Sequence, residues 1–261
     1  MTTARFDDSA VRDGYAEIAR RGPFVYGLTN YIAANLSANV LLAAGAGPAI
    51  GAASDWTTTF PAGANAVWIN TAALMSSDED SLRRVARTAH EAGTPWVLDP
   101  VAVGAGAAEY DAFVRGLLEF RPAVIRGNAS ELIALAGGAA TGTGVETTVD
   151  SSDAVSTAGE LAARTGSVVA VSGPVDYISD GSRVVEVPGG DVRLTRVTGA
   201  GCALGALTAA AVFATGDALQ GAVVSHAAYA EAAERAGART TGTGSFGVAL
   251  VDELSLLAES A

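Results

Sequence analysis

The segment AVIRGNASELIALAG, residues 123–137, carries the main signal for the fold class of this 261-residue chain. It opens with an apolar run typical of a buried β-strand, and a helical pattern follows without a break. Four similar strand-like runs are FVYGLTN (24–30), AVWIN (66–70), PWVLD (95–99) and SVVAVSG (167–173). Strands that alternate with helices indicate a mostly parallel sheet, and continuously apolar strands indicate helices on both of its faces. We therefore predict an α/β protein, a three-layer sandwich around a mostly parallel central sheet.

The remaining patterns fill in this architecture. A helix is predicted over residues 77–92, with Ser77 as its N-cap and Gly93 after its last turn. Residues 176–187 predict a β-hairpin that turns near Asp180 and Gly181. Three helices are expected near the end of the chain, at residues 201–214, 217–236 and 246–257.

Domain organisation follows from what interrupts these patterns. The glycine-rich stretch at residues 137–144 lies between two helical patterns and is predicted as a surface loop. The sequence contains no repeat, charge block or clear linker, so residues 1–261 are expected to form a single domain.

Composition excludes several classes of protein. All 16 basic residues are arginine, and a P-loop NTPase or a pyridoxal-phosphate enzyme needs a lysine. The net charge of −12 argues against a nucleic-acid partner, and one cysteine, Cys202, excludes an internal disulfide. The longest apolar stretch, residues 202–214, is too short to cross a membrane. The first residues lack the apolar run of a secretion signal, so a cytoplasmic location is expected.

The strongest local motif is VTGAGCALGALTAAA at residues 197–211. Gly199, Ala200 and Gly201 open a long helix, whose first N–H groups and dipole favour an anion. Cys202 falls in the first turn of this helix. Its pKa is therefore expected below the free value of about 8.5, unless it is a buried structural cysteine.

Two further motifs place charged residues at strand ends. In IRGNASE (125–131), Arg126 is positioned to contact phosphate oxygens, and Asn128 to cap the next helix. Glu131 either completes a capping box or holds a magnesium-bound water. Asp99, at the end of the strand PWVLD, either orients water around magnesium or holds a loop N–H group.

Polar residues follow most of the predicted strands, where ligands of open parallel sheets bind. They are Thr29, Asn30, Asn70, Asp99, Arg126, Asn128 and Ser172. Together they predict a concave polar surface at one edge of the sheet. The two histidines, His90 and His226, are expected to be structural.

These segments, in this order, resemble the hydroxyethylthiazole kinase family of the ribokinase-like superfamily. The similarity extends from about residue 23 to 256 and is carried by LTNYIAANLSANVLLAAGAGP, LDPVAVGA, AVIRGNASEL, VVAVSGPVDYISDG, VTGAGCALGAL and TGTGSFGVALVDEL. A TNY segment, an RGNxxE segment and a Gly-x-Gly-Cys helix start are specific in combination. Cysteine at position 202, where the superfamily has an acidic residue, is typical of this family.

The resemblance implies a ribokinase-like fold and a phosphotransfer activity. The reaction that it implies is the ATP- and magnesium-dependent phosphorylation of the hydroxyl group of 4-methyl-5-(2-hydroxyethyl)thiazole, and the implied assembly is a homotrimer with active sites between subunits.

The resemblance also assigns site residues. Those implied to contact ATP are Arg126, Ser172, Asn128 and Thr198. The backbone of Gly199, Ala200 and Gly201 is implied to form the anion hole, with Cys202 beside the substrate hydroxyl. Those implied for the thiazole are Gly199, Ile50 and Asn30, and those for magnesium are Asp99 and Glu131.

The chain departs from the family at several positions. The family usually has Met at Ile50, Thr at Ser172 and Ala200, Gly at Ala102, and Thr and Arg at Gly106 and Glu109. The alternatives are another ribokinase-like kinase, acting on a hydroxymethylpyrimidine or a sugar alcohol, and the superfamily's ATP-dependent dehydratase for hydrated nicotinamide cofactors. A nucleotide-binding module without catalysis is a third.

Overall fold

The computed structural model describes residues 1–53, 55–138 and 150–260. Within them a nine-stranded sheet has the strand order β1-β9-β8-β7-β6-β5-β4-β2-β3. The strands are β1 Thr2–Thr3, β2 Phe24–Leu28, β3 Gly47–Ile50, β4 Ala66–Asn70, β5 Trp96–Asp99, β6 Val124–Asn128, β7 Val168–Ser172, β8 Val175–Ser179 and β9 Val184–Pro188. All neighbouring pairs are parallel except β7–β8 and β8–β9, which form the expected hairpin side of the sheet.

Helices cover both faces of this sheet, as the apolar strands predict. They are α1 Ser9–Arg21, α2 Tyr31–Ala43, α3 Trp56–Gly63, α4 Glu79–Ala92, α5 Ala108–Gly116, α6 Ala129–Ala136, α7 Val155–Thr165, α8 Ala200–Thr215, α9 Ala218–Arg239 and α10 Thr243–Ser260. One core lies between the sheet and α1, α2, α8, α9 and α10. The second lies between the sheet and α3 to α7. Successive residues of β4 pack into different cores, Trp68 into the core that contains α8 and Ile69 into the other. The three-layer α/β architecture is confirmed.

Element boundaries differ from the sequence predictions at several points. The helix expected from Ser77 begins at Glu79, because the Asp78 carboxylate accepts a hydrogen bond from Ser81 N at 2.7 Å and is the N-cap. The C-terminal helices run longer than expected. The sequence patterns also do not indicate α1, α3 and α5 or the edge strand β3, whereas the helical pattern expected after the glycine-rich stretch corresponds to α7. Of the glycine-rich stretch, Gly137 caps α6 in the left-handed region, and residues 139–144 lie outside the described residues.

Helix α8 connects the fold to the site. It packs across β4 and β5 and contacts α2 and α9, with 12 of its 16 residues buried. The long apolar stretch is therefore a core helix, as expected. In the described part of the chain, no helix is long and apolar enough to cross a membrane.

Candidate active site

The start of α8 presents backbone N–H groups at the carboxyl edge of the sheet. Gly199 is the N-cap with a φ of 84°, and a Cβ at this position would lie 3.1 Å from Ala33 Cα. The first bond within the helix runs from Ala203 N to Gly199 O at 2.8 Å. Helix geometry therefore provides no acceptor for the N–H groups of Gly201 and Cys202.

Fewer backbone N–H groups are available for the expected anion hole than the sequence suggests. The N–H group of Ala200 donates to Val197 O at 3.1 Å, in the turn that leads into α8. Ala200 therefore already uses its N–H group within this turn, and its contribution to the anion hole stays a prediction. The N–H groups of Gly201 and Cys202 remain available to bind an anion.

Arg126 links the start of α8 to the end of β7. Its Nη1 donates to Gly201 O at 3.0 Å, and its Nη2 donates to Ser172 Oγ at 2.7 Å. The side chain is buried, and its Nε has no hydrogen-bond partner within the described residues. Burial disfavours the charged guanidinium, but the carboxylates of Asp99, Glu131 and Asp176 outweigh burial and hold the pKa of Arg126 above its usual value.

Asp99 ends β5 beneath the same region. Its Oδ2 lies 3.6 Å from Arg126 Nη1 and accepts a hydrogen bond from Asn70 Nδ2 at 2.8 Å. The side chain is 1% exposed, and this burial raises its pKa, against the opposing effects of Arg126 and Asn70. Asp99 is therefore a buried carboxylate held between an arginine and an amide.

Glu131 has the capping role that its spacing predicts. Its Oε2 accepts from Asn128 N at 2.9 Å, while Asn128 Oδ1 accepts from Glu131 N at 3.0 Å. Its Oε1 accepts from Ala102 N at 2.9 Å, which ties the loop after β5 to α6. Burial, followed by the Asp99 carboxylate, raises the pKa of Glu131 to about 7.

Cys202 does not have the lowered pKa expected at a helix start. Burial raises its pKa to about 12, and the Asp99 carboxylate adds to the effect, although Arg126 and the Asn70 amide oppose it. Desolvation and a neighbouring negative charge therefore outweigh the helix dipole, and the thiol is neutral at physiological pH.

The predicted thiazole residues lie toward α2 and β3. Asn30 caps α2 through a 2.8 Å bond from Ala33 N, and Gly199 packs against the same Ala33. Ile50 is half-buried at the end of the edge strand β3. Thr198, expected beside ATP, is exposed directly before α8. Asn30 and Gly199 thus both contact Ala33, in the first turn of α2.

Sequence reasoning missed several residues of this region. The sequence places Asn70 among the strand-end residues but indicates no role for it, whereas in the structure its amide donates to Asp99. Tyr229 of α9 donates its hydroxyl to Ala200 O at 2.8 Å, and His226 of α9 lies 2.6 Å from Asp176 through Nδ1 and Oδ2. The alanine-rich sequence of α9 carries no local signal for either contact, because both depend on packing between distant elements.

The fold defines the class of protein. A ribokinase-like superfamily protein from Enterococcus faecalis superimposes with a TM-score of 0.61 at 11% identity, covering 99% of this chain and 93% of its own. Two buried carboxylates, a buried arginine and an open helix start at the carboxyl edge of the sheet accompany this fold. The chain has the ribokinase-like fold.

Similarity in sequence identifies the family. The hydroxyethylthiazole kinase family matches residues 15–260. A hydroxyethylthiazole kinase from Burkholderia thailandensis is 65% identical over 257 residues, which cover 98% of both proteins. The hydroxyethylthiazole kinase structure from Pyrococcus horikoshii has a TM-score of 0.80 at 33% identity, covering 94% of this chain and 92% of its own. The chain belongs to the hydroxyethylthiazole kinase family, and it is accordingly an enzyme of the phosphotransferase class.

Proposed function

We propose that this enzyme phosphorylates the hydroxyl group of 4-methyl-5-(2-hydroxyethyl)thiazole with ATP. The observation that carries the chemistry is the start of α8, where the N–H groups of Gly201 and Cys202 have no acceptor in the helix and Arg126 lies alongside. Phosphoryl transfer needs mainly alignment and stabilisation of charge on the transferred group. Backbone N–H groups and a buried arginine supply both without a lysine.

The residues divide between the two substrates. Arg126 and Ser172, already joined at 2.7 Å, contact the phosphates of ATP, with Asn128 and Thr198 at the margin. The Nε of Arg126 has no hydrogen-bond partner among the residues that the structure describes, and this supports an anionic ligand, since a buried donor without a partner costs free energy. Gly199, Asn30 and Ile50 line the thiazole side.

Asp99 and Glu131 fit a magnesium ion that keeps most of its own water. Both are buried carboxylates, and Asp99 raises the pKa of Glu131, so a cation held by them would relieve their repulsion. The described residues contain no group of three or more His, Cys, Asp or Glu side chains that could hold a metal ion. Magnesium commonly binds through one or two carboxylates together with substrate phosphates. When bound, the ion supplies positive charge to those phosphates.

The role of Cys202 is to orient the substrate hydroxyl group. The alcohol oxygen forms a bond to the γ-phosphorus, the bond to the ADP oxygen breaks, and the hydroxyl proton passes to solvent water. A thiol with a pKa of about 12 is almost never a thiolate at neutral pH, so it does not start the reaction as a base. Cys202→Ala is therefore expected to slow turnover while ATP binding persists, and unchanged turnover would make Cys202 a packing residue only.

We also propose a homotrimer in the cytoplasm, with sites completed by a neighbouring subunit. Tyr31 and Ile32 support this arrangement, because they are 70% and 51% exposed directly after Asn30. Apolar side chains beside a site are typical of a surface that another protein covers. Light scattering on the purified protein tests the trimer: three chains per particle support it, and a monomer with full activity contradicts it.

A steady-state assay tests the activity itself. ATP, magnesium and the thiazole alcohol should give ADP and the phosphorylated alcohol in equal amounts. A parallel panel of pyrimidine and sugar alcohols should react far more slowly. Faster reaction of another alcohol would reassign the substrate, and ATP binding without turnover would favour a nucleotide-binding module.

A further inference from the structure

Helix α9 places two buried polar side chains behind the proposed active site. His226 and Tyr229 are 1% and 3% exposed, and their spacing of three residues puts them on one face of the helix. Each contacts a different segment that carries phosphate-binding residues. The mechanism described above uses neither side chain.

Tyr229 fixes the position at which α8 begins. Its hydroxyl donates to the carbonyl oxygen of Ala200, the first residue of α8, at 2.8 Å. Burial raises the pKa of Tyr229, so the phenol keeps its proton. The hydroxyl therefore acts as a buried donor to the backbone beside the anion hole.

His226 fixes the turn that follows Ser172. Its Nδ1 lies 2.6 Å from Asp176 Oδ2, and Asp176 Oδ1 accepts from Gly173 N at 2.9 Å. An ionised carboxylate only accepts, so His226 Nδ1 carries the hydrogen in this arrangement. The imidazole thus holds Asp176, and Asp176 holds the residue directly after Ser172.

Arg126 joins the same two segments, through Gly201 O and Ser172 Oγ. We propose that His226 and Tyr229 are positioning residues, which hold the Ser172 turn and the start of α8 at the separation that Arg126 spans. This inference rests on the proposed function. If the separation relaxes, Arg126 can satisfy one segment but not both, and the N–H groups of Gly201 and Cys202 move away from the phosphoryl group.

Tyr229→Phe tests one contact, and the chain offers a matched control. Tyr15 is also buried and donates its hydroxyl to Leu254 O at 3.0 Å, between α1 and α10. Both Tyr→Phe variants lose one buried hydrogen bond, so both Tm values should fall by about 2–4 °C. Only Tyr229→Phe should lower kcat, by about tenfold to a hundredfold, because misplaced reacting groups cost rate. Its KM for the thiazole alcohol should not change.

The second contact is tested with His226→Leu and His226→Asn. Leucine removes the hydrogen bond to Asp176, so it should raise the KM for ATP and lower kcat. Asparagine keeps an N–H donor close to the Nδ1 position and should recover most of the loss. His90, which is exposed on α4, provides the control, since His90→Leu should leave both constants unchanged.

Several results would overturn the inference. A Tyr229→Phe enzyme that loses thermal stability as Tyr15→Phe does but keeps wild-type kcat contradicts it, as does a His226→Asn enzyme no better than His226→Leu. If the leucine variant does not fold, ¹⁵N-histidine labelling of the wild type replaces it, because the chain has two histidines. The His226 ring signal should move when ADP, magnesium, aluminium fluoride and the alcohol are added, with His90 as the reference. An unmoved His226 signal contradicts the inference, whereas an inactive wild type contradicts the proposed function itself.

Discussion

The two ends of α8 have similar backbone geometry but differ in which terminal backbone groups have hydrogen-bond partners. Gly199 begins the helix and Gly216 ends it, both with left-handed φ values, of 84° and 71°. At the C-terminal end, Arg21 Nη1 donates to Phe213 O and Ala214 O, each at 2.8 Å, so these two of the last carbonyl groups are satisfied. At the N-terminal end, Arg126 and Tyr229 also donate to carbonyl groups, which leaves the N–H groups of Gly201 and Cys202 without acceptors from the helix. We call the N-terminal end, where the N–H groups of Gly201 and Cys202 are available to an anion, the open end of α8.

The largest expected effect is a difference in kcat between variants of Arg126 and Arg21, the arginines at the two ends of α8. Arg126→Gln should lower kcat by about 10²–10³-fold, as expected for loss of one charge-stabilising group. It should also destabilise the fold by about 3–5 kcal/mol, because the buried Asp99 loses its partner. Arg21→Gln should cost about 1 kcal/mol of stability without changing kcat. Kinetics and denaturant unfolding of both variants provide the measurement, and equal kcat values would contradict the assignment of the open end.

The two glycines give the next comparison. Alanine in the left-handed region costs about 1–2 kcal/mol, so Gly199→Ala and Gly216→Ala should lose similar stability. A Cβ at Gly199 also meets Ala33 on α2, whereas nothing lies within 4 Å of a Cβ at Gly216. Only Gly199→Ala should therefore lower kcat/KM for the alcohol, by about tenfold to a hundredfold. A similar loss of kcat/KM in Gly216→Ala would show that strain at either end of α8 reaches the site, and it would contradict a specific role for the contact between Gly199 and Ala33.

Glu131, a proposed magnesium residue near the start of α8, should make the free energy of unfolding depend on pH. Its pKa is about 7 in the folded protein against a reference value of 4.5. A raised pKa means that the folded state binds the proton more tightly, so this stabilisation is complete below about pH 4.5. It is lost as the pH rises to about 7, by on the order of 3 kcal/mol without magnesium. Glu131→Gln should flatten this dependence in unfolding experiments, and Glu79→Gln, at an exposed site on α4, should not. A wild-type stability that rises over this interval would contradict the burial argument.

The smallest expected effect concerns Ala102, whose N–H group donates to Glu131. Ala102 has a φ of 62°, a left-handed value that glycine adopts without strain. Ala102→Gly should therefore raise the free energy of unfolding by up to about 1 kcal/mol. The same change at Ala105, which is not left-handed, should lower it. A destabilised Ala102→Gly would mean that the methyl group contributes packing that outweighs the strain.

The sequence predicts most of the fold because strand and helix signals are local. The buried strands β4 and β6 and the capping box of Asn128 and Glu131 lie within a few residues of where their patterns place them. The Cys202 pKa could not be predicted in this way, since it depends on Asp99 and on burial by distant elements. The use of Ala200 N–H by Val197 O is a detail of one turn. The contacts of Tyr229 and His226 join α9 to elements far away in sequence, the start of α8 and the strand β8.

The open end of α8 can be observed directly because Cys202 is the only cysteine. Protein labelled with ¹⁵N-cysteine gives a single backbone amide signal, from one of the two N–H groups assigned to the phosphoryl group. Addition of ADP, magnesium, aluminium fluoride and the thiazole alcohol should move this amide proton strongly downfield, as a new charge-assisted hydrogen bond forms. An amide signal that stays in place while the nucleotide site is saturated would contradict the account.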